Sequence, residues 1–336
     1  MRRSPRLDRR GRRRGAVAAI LAVVAVLATG CSTAPIDIAS AGDPAAAHLR
    51  GGDQIATIPA DAPVPVTTDP AAGPQADRII AIDRNGTLAA TVFALGLGPH
   101  VVGRDGSTTF TAAAGLPQVT DPGHAINVER VLEQRPTIIL TGEDANPNGV
   151  LDQLRAAHVN VVTFSPERSV AGTPALIRKV AAALGAEKAG EQLVTRTESQ
   201  IAEAKAAQPT PTGDPTIAFL YIRGERLILL AGPGSGADDL IENLGGRDAG
   251  TEAGMTAAFT VVGTESLTRA DPEVILVMTQ GADSVGGMDK VLALPAVAGT
   301  RAGRAHRIVA MDETQILSFG PDVGLILTAM SKAIYR

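Results

Sequence analysis

The feature that most constrains the fold is a pattern that occurs twice. Val128-Glu-Arg-Val-Leu-Glu-Gln-Arg-Pro136-Thr-Ile-Ile-Leu140 lines up with Thr264-Glu-Ser-Leu-Thr-Arg-Ala-Asp-Pro272-Glu-Val-Ile-Leu276. In both, a Glu stands seven residues before a Pro, as Glu129 before Pro136 and Glu265 before Pro272. Proline lacks an N–H and pushes the residue before it out of helical geometry, so it closes a helix and opens an extended run. The run that follows is apolar without alternation, as expected of a strand covered on both faces in a parallel sheet. A helix–Pro–strand step that recurs in this way predicts two similar units, residues 78–168 and 214–336.

The remaining pattern supports that division. Strand-like runs occur at Arg78–Ile82, Val101–Gly103, Thr137–Leu140, Val159–Phe164, Thr216–Tyr221, Leu227–Leu230, Glu273–Val277 and Ile308–Met311. Helical patterns lie at Thr87–Leu97, Asn127–Glu133, Gly149–Ala157, Ala237–Leu244 and Val323–Ile334. Such alternation predicts an α/β fold with two Rossmann-like lobes and mainly parallel sheets. Between the lobes, residues 169–213 form a bridging helical segment, helical over Thr173–Ala207 except at Gly185 and Gly190. Ala189, Leu193, Thr197, Ile201 and Ala204 make one narrow apolar stripe, and a single helix from Glu187 to Ala207 would be about 30 Å long.

Two lobes joined by one long interdomain helix resemble the helix-bridged class of ABC-transporter binding proteins. The most family-like stretch is Arg78-Ile-Ile-Ala-Ile-Asp…Phe93-Ala-Leu-Gly-Leu-Gly-Pro-His-Val-Val-Gly103, and the resemblance runs from there to the C-terminus. It implies a monomeric receptor that carries a metal chelate, siderophore, cobalamin or haem to a permease and its ATPase. It implies neither catalysis nor a catalytic cofactor.

The N-terminus says where such a receptor works. Eight Arg fall within Met1–Arg14, an apolar run of small residues spans Ala16–Ala28, and Leu27-Ala-Thr-Gly-Cys31 closes it. This is the order of an export signal, here residues 1–30, and its end resembles the lipobox of bacterial lipoproteins, with Ala28 where Leu is usual. The resemblance implies that Cys31, the chain's one cysteine, is acylated and holds the protein on the outer face of the cell membrane. Residues 31–77 are rich in Ala, Pro, Gly and Asp without hydrophobic period, so a disordered tether is expected there. Residues 1–30 hold eight of the 31 basic and one of the 35 acidic side chains, which leaves a net charge of −11 on the rest. A surface of that sign repels nucleic acid, so none is expected as partner. With no Trp and only two Tyr, stacking faces for sugars are scarce.

In open α/β sheets ligands gather beyond the carboxyl ends of the strands. Lobe two offers Tyr221-Ile-Arg223 at such an end. Residues two apart on a strand project to the same side, and a cation beside a phenol favours the phenolate. From spacing alone the pair is better described as a tyrosine at a core edge beside a solvated arginine, since Tyr-x-Arg is a weak motif. The haem-binding lipoproteins of haemin importers, which the chain resembles, use one His from the first lobe, one Tyr from the second, an Arg two residues past it, and a Met at a later strand end. That resemblance implies His124 and Tyr221 as axial iron ligands, Arg223 as partner of the phenolate, and Met278 as an apolar contact. Haem is then the transported ligand; a ferric siderophore or cobalamin is the alternative for the same fold. His48, His100, His158 and His306 have weaker contexts.

Gly232-Pro-Gly-Ser-Gly236-Ala237 precedes a helix and describes either a tight turn or a backbone cradle for an anion. In the second case Ser235 and Gly236 would meet a haem propionate. Receptors of this class dock to the permease through an acidic residue on each lobe. Asp238 or Asp239 would serve in lobe two, and Glu143 or Asp144 in lobe one, near Asn148.

Overall fold

A computed structural model describes residues 49–59, 63–145, 149–209 and 213–335. The first lobe is built on a four-stranded, wholly parallel sheet. Its strands are β2 (Ile79–Ile82), β3 (Val101–Arg104), β4 (Ile138–Gly142) and β5 (Asn160–Phe164), in the order β3-β2-β4-β5. Helices α1 (Thr87–Ala94), α2 (Val128–Glu133) and α3 (Val150–Ala156) supply the crossovers. All residues of β2 and β4 are buried, which is why these strands read as unbroken apolar runs: helices cover both faces. Asn127 caps α2, its side chain accepting the Arg130 N–H at 3.1 Å.

The second lobe is built on a seven-stranded sheet. Strands β6 (Thr216–Arg223), β7 (Leu227–Ala231), β8 (Arg247–Asp248), β9 (Phe259–Val261), β10 (Val274–Met278) and β11 (Arg307–Met311) are joined by β1 (Gly52–Ile55). The order is β1-β11-β10-β6-β7-β9, with β8 beside β6. Only the β6–β7 and β7–β9 pairs are antiparallel. The repeated sequence maps onto equivalent pieces: α2 leads into β4, and the Thr264–Ala270 helix leads into β10.

Helices α4 (Thr173–Leu184) and α5 (Glu187–Ala206) connect the lobes. Gly185 ends α4 in a left-handed conformation, φ 64°, which a glycine adopts at little cost. Gly190 does not break the helix; it lies within α5, where a Cβ would come 2.5 Å from the Ala181 Cβ of α4. On the other flank, a Cβ on Gly324 would meet Gln200 of α5 at 2.5 Å. Two glycines thus let α5 lie close against α4 on one side and the Val323–Ile334 helix on the other. Among the described residues no helix is long and apolar enough to cross a membrane.

The expected tether over residues 31–77 needs correction in its second half. Leu49 is fully buried and bridges to Tyr335, and Gly52–Ile55 pairs in parallel with Arg307–Ala310. Farther on, the Val66 N–H donates to the Ala94 carbonyl and the Gly73 N–H to the Leu184 carbonyl, both at 2.8 Å. The segment is therefore a strap that enters lobe two and crosses to lobe one. Low hydrophobicity concealed this because the strap is held mainly by main-chain hydrogen bonds. The signal segment, Cys31 and His48 lie outside the described residues, as does Asn148.

A polar seam joins the lobes beside the bridge. The carbonyls of three successive residues accept from lobe-one or bridge side chains: Leu317 from Asn85 Nδ2 at 3.0 Å, Ser318 from Thr87 Oγ1, and Phe319 from Thr173 Oγ1 at 2.9 Å.

Candidate ligand-binding cleft

Between the sheets opens a cleft of about 840 Å³, within the range of small-molecule sites. The carboxyl ends of β2, β4, β6 and β10 all reach it, through Asp83, Gly142, Tyr221 and Met278. Its wall includes His124, Tyr221, Arg223, Met278 and Ser235, residues up to 154 positions apart in the sequence. Leu229, Phe259 and Leu317 add apolar surface from lobe two. Phe259 remains 37% exposed on the edge strand β9, an apolar face turned to the cleft that a flat ligand can cover.

His124 sits in a loop closed by the Thr120–Ile126 bridge and by the Asp121 N–H donating to the Ala125 carbonyl at 2.8 Å. It has φ 67°, a left-handed conformation that costs a residue with a Cβ roughly 1–2 kcal/mol. His158 and His306 share that geometry but turn helices into strands elsewhere. Among the described residues His124 is the only histidine on the cleft wall. Its Nδ1 lies 3.2 Å from Ser107 Oγ.

Across the cleft, Tyr221 and Arg223 leave β6 on the same side, as their spacing predicts. The guanidinium does not reach for the phenol oxygen; it stacks on the ring, 4.4 Å from the centroid, and forms an ion pair with Glu313. Glu313 follows β11 at the start of the Glu313–Ile316 helix, and nothing in its local sequence marks it as a cleft residue.

The floor on the lobe-one side is charged. The carboxylates of Asp83, at the end of β2, and Asp105, after β3, are both buried, and Asp105 Oδ2 accepts the Asp83 N–H at 2.8 Å. Burial and then the neighbouring Asp105 carboxylate push Asp83 up to about 6, although Arg168, 3.7 Å away, and two backbone N–H groups pull it down. Burial likewise raises Asp105, against the hydrogen bonds it accepts. Three cations line the cleft: Arg84, Arg168 and Arg223. Each is paired with a carboxylate, Arg84 with Asp144 at 3.2 Å in the most exposed of the three pairs. Arg84, Ser107, Arg168 and Glu313 were not identified from sequence. The Asp105-Gly-Ser-Thr108 string does carry a turn signature.

Three expectations change. Asp144 faces the cleft beside Arg84 rather than the outer face of lobe one. The cradle at Gly232–Ala237 is already filled, since Asp238 accepts the Gly234 N–H at 2.7 Å and the Gly236 N–H at 2.9 Å. Gly236 is therefore no anion donor, and Asp238 holds its own turn; Ser235 lines the cleft with Oγ accepting the Ala237 N–H. Asp239 accepts the Val170 N–H at 2.8 Å, tying lobe two to the bridge. Of the four docking candidates, Glu143 and Asp144 are exposed, and Glu143 takes no part in these internal bonds. Among the described residues no three His, Cys, Asp or Glu are grouped to hold a bare metal ion.

Comparison with known proteins agrees with this architecture. The structure is similar to that of the haem-binding protein HmuT, with TM-score 0.79 and 33% identity over 88% of this chain and 99% of that one. It is also similar to the periplasmic haem-binding protein RhuT from Roseiflexus sp. RS-1, with TM-score 0.71 and 35% identity over 76% and 97% of the two chains. The uncharacterised ABC transporter substrate-binding lipoprotein YvrC of Bacillus subtilis (strain 168) is 24% identical over 249 residues, 72% of this chain and 76% of YvrC. The model of the periplasmic binding protein family matches residues 84–314, and the chain belongs to that family.

Proposed function

We propose that this protein is a lipid-anchored extracytoplasmic receptor that binds haem between its lobes and delivers it to an ABC importer. The observation that carries this reading is the meeting of His124 and Tyr221 from opposite lobes in one cleft, with Arg223 on the tyrosine and Met278 beside it. An imidazole and a phenol brought to one cleft from opposite lobes suit an iron with two axial positions. Leu229, Phe259 and Leu317 suit the flat ring between them. HmuT, a haem-binding protein, has been solved with a tyrosine, an arginine two positions later, and a histidine each replaced by alanine, the residue types and spacing found here.

Binding and release need no chemistry from this chain, so the protein is not an enzyme. Release follows docking to a permease and ATP hydrolysis in partner subunits, with Glu143 the docking acid of lobe one. Acylation at Cys31 keeps the receptor within reach, and Cys31→Ser moves the protein from membranes to the medium with haem binding intact.

Titrating the purified protein with haemin tests the reading. A saturable Soret band with the charge-transfer feature of a tyrosine-ligated ferric haem is expected. A spectrum and affinity unchanged in Tyr221→Ala would remove Tyr221 as ligand, and no saturable band at all would refute haem as cargo.

A further inference from the structure

We propose that Ser107 fixes the tautomer of His124 so that its Nε2 is the atom offered to iron, an inference that rests on the haem reading above. Ser107 is 6% exposed. Its Oγ lies 2.6 Å from the Arg84 carbonyl and 3.2 Å from His124 Nδ1. A carbonyl oxygen only accepts, so the hydroxyl proton points to Arg84 and a lone pair of Oγ is left for the ring. The second contact is then a hydrogen bond only when Nδ1 carries the proton and donates. A neutral imidazole protonated at Nδ1 keeps its lone pair on Nε2, and Nε2 becomes the metal-binding atom.

Both halves of this contact are tied to one frame. The Ser107 N–H donates to Asp105 Oδ1 at 2.9 Å, and the same oxygen accepts the Thr108 N–H and hydroxyl at 2.7 and 2.8 Å. Asp105 Oδ2 holds the end of β2 through the Asp83 N–H. The next residue back, Gly106, donates its N–H to Thr120 Oγ1 at 3.0 Å, and Thr120 bridges to Ile126 across the His124 loop. The serine and the histidine loop are thus held at one separation although neither is in a helix or strand. Ser107 acts on the iron ligand through the His124 ring, so it is a positioning residue.

Two measurements test it. The first uses haem-free protein: nitrogen-15 NMR of the histidine rings should show His124 protonated at Nδ1 in the wild type, and this preference lost in Ser107→Ala. An Nε2-protonated His124 in the wild type overturns the inference whatever happens with haem. The second compares haemin complexes of wild type, Ser107→Ala, Ser107→Thr and His124→Ala. Ser107→Ala should still bind haemin through Tyr221, with its visible spectrum shifted towards that of His124→Ala and haem loss to apomyoglobin faster by about 10-fold or more. Ser107→Thr, which keeps the hydroxyl, should restore both. If Ser107→Ala matches the wild type while His124→Ala differs, the positioning role is wrong and the haem reading stands. If the wild type binds no haemin, the haem reading fails and the iron-facing role of Nε2 fails with it.

Discussion

The guanidinium of Arg223 sits over the ring of Tyr221, and the carboxylate of Glu313 pairs with it there. The charge therefore meets the face of the phenol and not its oxygen. Tyr221→Phe retains the ring and its stacking partner but removes the oxygen. It should lose the tyrosinate charge-transfer feature and weaken haemin binding by at least about 10-fold, read by titration. Glu313→Gln leaves Arg223 without its counter-charge, and its effect should be smaller, since the phenol oxygen is kept and a cation–π contact contributes only about 0.5–2 kcal/mol.

Arg84 is the cleft cation with the loosest partner, its side chain 72% exposed and that of Asp144 40% exposed. Such a pair contributes little to stability, so an anionic group of a ligand can replace Asp144 at small cost. Arg84→Ala should weaken haemin binding by roughly 3–10-fold at low salt, and Asp144→Asn should strengthen it. Both effects should fade as ionic strength rises and the Debye length shrinks.

The buried Asp83–Asp105 pair gives stability a definite dependence on pH. Asp83 rises to about 6 in the folded protein, from the 3.8 of a free side chain, through burial first and Asp105 second. The folded state thus holds a proton that the unfolded chain releases. The stability this contributes is complete below about pH 4 and is lost as pH rises through about 6, by on the order of 3 kcal/mol. Asp83→Asn removes that slope. Urea unfolding at pH 4.5 and 7.0 should therefore show a smaller loss with rising pH in the variant than in the wild type. Equal slopes would mean that Asp83 is ionised throughout.

Gly190 and Gly324 set how closely α5 meets its two neighbours, and in each case a Cβ would come within 2.5 Å of the facing helix. Replacing either by Leu overpacks the crossing and should cost about 1–3 kcal/mol. Gly190→Ala trades that strain against better helix propensity, worth about 1 kcal/mol, and should lose less. Thermal unfolding of the three variants separates the two effects.

Much of the scaffold was legible in the sequence. The Val323–Ile334 helix was readable to its end residues because its apolar stripe keeps helical period beyond Pro321. Strand β4 was readable because both its faces are buried, so no polar residue interrupts it. Strand β1 was not: Gly52-Asp-Gln-Ile55 is short and half polar, and its partner lies some 250 residues later. At the cleft, Tyr221 and Arg223 were visible as a pair because two-residue spacing is a property of one strand. His124 was selected only through resemblance, since its neighbours in space come from other loops. Arg84 and Glu313 carried no signal of their own and Ser107 only that of a turn, because what distinguishes each is a partner that only the tertiary fold supplies.

The pairing of β1 with β11 also bears on how the protein is made. The first strand of the larger sheet emerges early, yet its hydrogen-bonding partner, Arg307–Ala310, is among the last segments synthesised. Closing so long a loop is entropically costly and slow. Until it closes, β11 presents an open edge to which another chain's strand could add. The interval between the arrival of β11 and the docking of Gly52–Ile55 is therefore one in which this protein is open to aggregation.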